Sequence, residues 1–256
     1  QIYSYFGILE ALSGMAVDVE FLSFTDLLEN GIPKDIDVIL NAGDAGTSWS
    51  GGEIWQDERL CTMIRQFVYE GGGFIGVGEP CATQYQGSFF QLSDVLGVEK
   101  ELGFSLSTDK YFKTEKTAHF LLEDFSKEEL SFGESKKNIY ATDKDTEILE
   151  YSDGSVHLSS HAFGKGRGIY MAGLPYSPKN TRLLLRALLY SCGKENEYAL
   201  YQATNPSCEV HAYPEKGLLA VLNNSQVPQD TDYYDGKGRL QEIHLEAGEM
   251  QWHKEA

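Results

Sequence analysis

The sequence predicts an open α/β sheet with helices on both faces over residues 1–195, followed by a small all-β domain over residues 196–256. Three observations carry that prediction. Short apolar runs such as Asp37-Val38-Ile39-Leu40-Asn41 and Gly73-Phe74-Ile75-Gly76-Val77 are bounded by turn residues, as buried parallel strands are. Segments with helical spacing stand between those runs. After Glu195 the helical spacing stops, and five short strand-like runs follow with turn groups between them.

The elements follow in order. A first helix runs to about Leu12, with Tyr5, Ile8, Leu9 and Leu12 on one stripe, and Ser13-Gly14 ends it. Residues 17–24 have the β-branched and aromatic content of a strand. Thr25 to Leu28 make a short helical turn closed by Asn30-Gly31. The strand at 37–41 leads into a loop, 42–55, rich in Gly, Ser, Asp and Trp. A helix covers about 54–70, with Leu60, Ile64, Phe67 and Val68 on its apolar face. A strand at 72–77 and a helix at 89–96 follow, the latter ended by Gly97.

Residues 98–135 are polar and mixed, compatible with several short strands or turns. Strands are expected at 138–142, 146–151 and 156–163, with Asp153-Gly154 as a hairpin turn. Residues 164–168 form a second turn before an apolar strand at 169–172 and an apolar helix at 179–191. The last domain is expected to hold strands at 208–213, 217–222, 231–234, 240–245 and 250–253. At roughly 50 residues it is near the size where burial alone gives marginal stability, so it should pack on its neighbour. The chain begins without Met and already in helical spacing, which suggests a piece of a longer polypeptide.

A formal net charge of -18 repels phosphate backbones and anionic lipid headgroups, which argues against nucleic-acid binding. No apolar run reaches the roughly 18 residues of a membrane span, and no signal-peptide pattern is present. Cys61, Cys81, Cys192 and Cys208 are widely scattered and read as reduced thiols of a cytoplasmic protein. His, Cys and acidic residues show no metal-ligand spacing, and no GxGxxG or P-loop pattern calls for a cofactor. Backbone nests at Gly43-Asp44-Ala45-Gly46-Thr47 and Gly76-Val77-Gly78 could still hold an anion.

In a flavodoxin-like sheet, chemistry sits at the carboxyl ends of the strands. The stretch GGGFIGVGEPCATQYQG, residues 71–87, has the outline of a nucleophile elbow there. A class I glutamine amidotransferase carries Gly-x-Cys-x-Gly at this turn and His-Pro-Glu at a later strand end. The region resembles that fold, yet Gly78 stands at the nucleophile position and Cys81 comes three residues late. Leu174 and Tyr176 stand where the histidine and glutamate belong. A thiol without a base is not activated. His157 and His161, four apart on one strand, should point the same way and could flank a site. Trp49 and Trp55 could form a sugar platform or a subunit contact.

Three quoted segments carry a closer resemblance. They are the run NAGDAGTSWSGGEIW through STDKY (residues 41–111), LPYSPKNTRLLLRALLY (174–190) and YDGKGRLQEIHLEAGEMQW (234–252). With ALSGMAVDVEFLSF (11–24), they resemble the central and C-terminal domains of the galactosyl-hexosamine phosphorylases. Those are the lacto-N-biose / galacto-N-biose phosphorylases and the related galactosyl-rhamnose phosphorylases. The resemblance implies a parent enzyme that cleaves β-galactosides with inorganic phosphate as co-substrate, giving α-galactose 1-phosphate with inversion. It implies an N-terminal (β/α)8 barrel of the same polypeptide that holds the general acid and most sugar contacts. It also implies that the central domain is similar to the trimerisation domain of certain β-galactosidases, so the parent should be a homo-oligomer.

The present chain then reads as a non-catalytic lid or oligomerisation portion. It has no catalytic residue, no metal and no cofactor of its own. Asp44, Thr47, Trp49 and Glu79 are the expected substrate-rim residues, because they lie on strand-end loops. The alternative is a free-standing carbohydrate-binding or amidotransferase-like module.

Overall fold

A computed structural model describes residues 2–103 and 112–255. Helix α1 (Ile2–Ser13) and the short α2 (Phe24–Asn30) precede strand β1 (Val38–Gly43). Helix α3 (Glu58–Tyr69) returns the chain to β2 (Gly73–Gly78), and a hairpin of β3 (Ala82–Tyr85) and β4 (Ser88–Phe90) follows. Next come α4 (Ser93–Leu96), β5 (Val98–Lys100) and its antiparallel partner β6 (Ile139–Ala141). Strands β7 (Glu147–Ser152), β8 (Ser155–Phe163) and β9 (Gly166–Met171) lead to helix α5 (Pro178–Ser191).

The main sheet has the order β1-β2-β9-β8-β7. The first three strands are parallel, and β8 and β7 are antiparallel additions, so the sheet is mixed. β2 lies near the centre and is buried along its whole length, which is why its sequence is a continuous small or apolar run. Two cores cover the two faces. On one, Leu60, Ile64 and Val68 of α3 and Val95 and Leu96 of α4 pack against Phe74 and Tyr170. On the other, Ile8 and Ala11 of α1 and Leu183, Leu184 and Ala187 of α5 pack against Ile75, Val77 and Ile169. The expectation of helices on both faces therefore holds.

Beyond α5 all pairing is antiparallel. Strands β10 (Gln202–Ala203), β13 (Gln229–Tyr234) and β14 (Leu240–Leu245) form one three-stranded sheet. Strands β11 (Cys208–Tyr213), β12 (Leu218–Asn223) and β15 (Met250–Lys254) form another. Val210, Leu219, Val221, Tyr233 and Leu245 fill the space between them. The small core is tied to the larger domain by Arg182 of α5. Its guanidinium donates to the Ala203 carbonyl (2.6 Å) and the Tyr198 hydroxyl (3.0 Å).

Several expectations are corrected. Residues 17–23 are not a strand, and Phe21 is 70 % exposed. The capping box of Ser23 and Asp26 starts α2 at Phe24, satisfying donors that strand pairing would otherwise take. The helix expected at 54–70 is divided at Asp57. A 3-10 turn (Gly52–Gln56) precedes it, and the Asp57 carboxylate accepts the Arg59 N–H to begin α3. Residues 88–90 pair with β3 rather than opening the expected helix. Part of the mixed stretch 98–135, residues 104–111, lies outside the described residues.

Candidate functional site: the strand-end turn

The turn after β2 is built by close backbone approach. A Cβ on Gly76 would lie 2.5 Å from Cγ of Pro80, and one on Gly78 would lie 3.0 Å from the Gly43 carbonyl. Gly78 has φ 82°, a conformation that favours glycine. The Glu79 N–H donates to the Gly43 carbonyl (2.9 Å), and the Tyr170 hydroxyl donates to the Gly78 carbonyl (2.9 Å). The geometry is that of a sharp strand-end turn, and its apex is a residue without a side chain.

Cys81 points into the core. It is 0 % exposed, its N–H donates to Oδ1 of Asn41 (2.9 Å), and burial pushes its thiol well above the ordinary range. Leu174, at the expected base position, is buried in the second core. Tyr176 lies at the domain junction, where Asn224 donates to its hydroxyl (3.4 Å). A buried, protonated thiol with no base in reach among the described residues is not a nucleophile.

The four expected rim residues gather around the ends of β1 and β2, and their side chains are engaged. Glu79 is 8 % exposed. Its carboxylate pairs with the Lys100 ammonium and accepts the Ala45 N–H (2.9 Å). Burial would raise its pKa, but the Lys100 bond, the Ala45 amide and the Lys100 and Lys136 charges outweigh that and hold it below the usual glutamate value. Asp44 pairs with Lys136 (2.5 Å); burial pushes its carboxyl up, and the Lys136 ammonium is among the positive groups that bring it below its usual value. The Thr47 hydroxyl donates to the Asp44 carbonyl (2.7 Å), a turn-closing bond.

Trp49 is 43 % exposed and carries the Tyr5 ring on one side (centroids 4.3 Å apart). Trp55 does not join it in a platform. It is buried against Phe24 (5.4 Å, edge-on), with its indole N–H on the Ser50 carbonyl. Among the described residues, no group of three or more His, Cys, Asp and Glu could hold a metal ion.

His157 and His161 were expected on one face, and the structure parts them. Three residues of β8, Val156 to Leu158, oppose only Glu150 and Tyr151 of β7, so His157 sits in a β-bulge. Val156 consequently packs in the first core and Leu158 in the second. His161 lies against the Val95 carbonyl (3.2 Å) and Asp143 (3.2 Å). His157 turns instead toward Ser135 (Nε2 to Oγ, 3.3 Å), Ser152 (Nδ1 to Oγ, 3.0 Å) and Glu150 (Nδ1 to Oε2, 2.9 Å). Ser135 and Glu150 escaped sequence reasoning because no local spacing links them to His157.

Comparison with known proteins places this architecture. The family described as lacto-N-biose phosphorylase central domain matches residues 1–196, and lacto-N-biose phosphorylase C-terminal domain matches residues 201–253. This chain belongs to the lacto-N-biose phosphorylase family. It is similar to a 1,3-beta-galactosyl-N-acetylhexosamine phosphorylase of Lachnoclostridium phytofermentans, 46 % identical over 98 % of this chain and 34 % of the relative. A 1,3-beta-galactosyl-N-acetylhexosamine phosphorylase of Bifidobacterium longum subsp. longum is 40 % identical over 98 % of this chain and 38 % of its own length. The chain thus spans about a third of the length of these curated relatives. Among solved structures, a beta-galactosidase from Rahnella sp. R3 aligns over 85 % of this chain and 32 % of its own, with a TM-score of 0.49 and 18 % identity.

Proposed function

We propose that this chain is the lid and assembly portion of a glycosyl phosphorylase, and that it supplies no catalytic residue to phosphorolysis. The parent reaction is cleavage of a β-galactosyl-N-acetylhexosamine by inorganic phosphate, giving α-galactose 1-phosphate. The observation that carries this reading is coverage: the chain aligns over 98 % of its length to galactosyl-hexosamine phosphorylases yet spans only 34 % and 38 % of them. The strand-end turn supports it, since Gly78 has no side chain and Cys81 is sealed in the core.

The same reading takes the mixed sheet as a flavodoxin-like, amidotransferase-like fold whose turn serves as scaffold. Three parallel strands covered on both faces support that assignment. The (β/α)8 barrel of the same polypeptide is its partner, and Asp44, Thr47, Trp49 and Glu79 are its rim. Trp49, with one ring face packed by Tyr5, suits a contact with that barrel or with a second subunit. A cytoplasmic setting accompanies this reading, and all four cysteines are free. No described helix is long and apolar enough to cross a membrane.

The test is phosphorolysis of a β-1,3-galactosyl-N-acetylhexosamine disaccharide by this chain alone. The expected result is no galactose 1-phosphate; its release would overturn the proposal.

A further inference from the structure

We propose that Ser135, His157 and Glu150 form a nucleophilic triad, and that Ser135 is acylated by small carboxylic esters. This goes beyond phosphorolysis and does not depend on it. The serine Oγ lies 3.3 Å from Nε2 of His157, and Oε2 of Glu150 lies 2.9 Å from Nδ1 on the opposite side of the ring. Nucleophile, base and orienting acid are thus arranged in series, the relation that defines such triads on unrelated folds.

The fold positions the three groups. His157 is the third residue of β8 and lies beside the end of β9, since the Ala172 N–H donates to the His157 carbonyl (2.9 Å). That places the ring at the carboxyl end of the parallel strands, where α/β sheets carry their chemistry. The bulge aims it off the face that His161 occupies, and bulges recur next to active sites for this purpose. The Lys136 N–H donates to the Ala172 carbonyl (3.3 Å), which pins the Ser135 loop against the same strand end. Ser135 itself is only partly buried, whereas His157 is buried.

The acid is suited to its role. Glu150 Oε2 is buried and lies off the N–H line, so it has no aligned hydrogen bond despite the 2.9 Å approach. The Ser152 hydroxyl shares Nδ1 (3.0 Å). A buried carboxylate oxygen close to the ring, with its hydrogen bonding incomplete, stabilises the imidazolium that forms when the ring takes a proton. Burial pushes the Glu150 carboxyl up, but the His157 and Ser152 contacts outweigh this and keep it ionised.

The step balances without a co-reactant other than water. His157 Nε2 takes the Ser135 Oγ proton as Oγ bonds to the ester carbonyl carbon. The carbon–oxygen bond to the alcohol then breaks, and the departing oxygen takes the proton from Nε2. Water, deprotonated by the same nitrogen, later bonds to the acyl carbon; the bond to Oγ breaks, Nε2 returns the proton to Oγ, and the acid leaves. The Ser135 N–H is committed to the Gly133 carbonyl (2.9 Å) and the Lys136 N–H to Ala172, so neither serves as an oxyanion donor. An oxyanion donor contributes about 10²–10³ in rate, so activated esters are the substrates that will report the triad.

The experiment is incubation of the full chain with p-nitrophenyl acetate at pH 7.5, following nitrophenolate release and mapping acetyl groups by peptide mass spectrometry. The expected result is preferential acetylation of Ser135, absent in Ser135→Ala. His157→Gln should slow it by about 100-fold or more, the lower end of what a general base supplies. Glu150→Gln should slow it by a smaller factor. Thermal unfolding identifies variants that fold, and Ser135→Ala removes the nucleophile without touching the buried ring. Acetylation of Ser135 no faster than of other serines would overturn the proposal. So would an unchanged rate in folded His157→Gln, or a full nitrophenolate burst in Ser135→Ala.

Discussion

Replacing Glu79 by Gln tests whether the strand-end turn is held by its ion pair. The side chain of Glu79 is 11 % exposed and that of Lys100 is 21 % exposed, so both charges are largely removed from water. Removing one partner of a fully buried pair costs about 3–5 kcal/mol. Here Lys100 retains some solvent, and the amide of Gln can still accept the Ala45 N–H, so the discounted cost is about 1–3 kcal/mol. The sign of the pH dependence follows from the depressed carboxyl of Glu79. Its stabilisation is fully present above the unfolded-state value of about 4.3, and is lost as pH falls through the lower folded-state value. Urea unfolding of wild type and Glu79→Gln at pH 7 should therefore differ by about 1–3 kcal/mol, and the difference should shrink as pH drops below about 4. Equal stability at pH 7, or a gap that persists in acid, would refute the reasoning.

Three further outcomes follow from the same contacts. In the native protein, iodoacetamide should modify Cys81 more slowly than Cys192, whose half-buried thiol is pushed up to about 11; labelling of Cys81 first would contradict its burial. Gly78→Ala should cost about 1–3 kcal/mol from backbone strain and the close Gly43 carbonyl, whereas Gly248→Ala, also at positive φ (70°) but with open space around it, should cost about 1 kcal/mol. Arg186→Met should cost about 1–3 kcal/mol, because Asp124 loses its 2.6 Å partner but keeps the Tyr198 hydroxyl and, at 3.9 Å, Arg182; chemical denaturation checks both glycine variants and this one.

What could be read from the sequence was set by the range of the interactions involved. Strand β2 was legible because burial on both faces leaves a continuous small or apolar run, whereas only the apolar end of β9 was: Gly166 to Gly168 read as a turn, yet they belong to the strand, pairing with β8 and, from Arg167, with β2. The Asp153-Gly154 hairpin was legible because both residues must adopt positive φ, 51° and 75°. The lack of a side chain at the apex of the strand-end turn could be read from Gly78 alone. Residues 17–23 misled because β-branched content records side-chain preference but cannot supply a partner strand. His157 misled for a different reason. Period-two alternation puts it beside His161, and only the register shift against β7 turns it toward Ser135. The ion pair of Glu79 with Lys100, 21 residues apart, leaves no local trace at all.

The central claim is that this chain scaffolds a phosphorylase active site without building one. Its most direct measurement compares galactose 1-phosphate formation by this chain and by the full-length polypeptide, with the same disaccharide and phosphate. The account predicts product from the full-length protein and none above background from the chain. Turnover by the chain alone would contradict it.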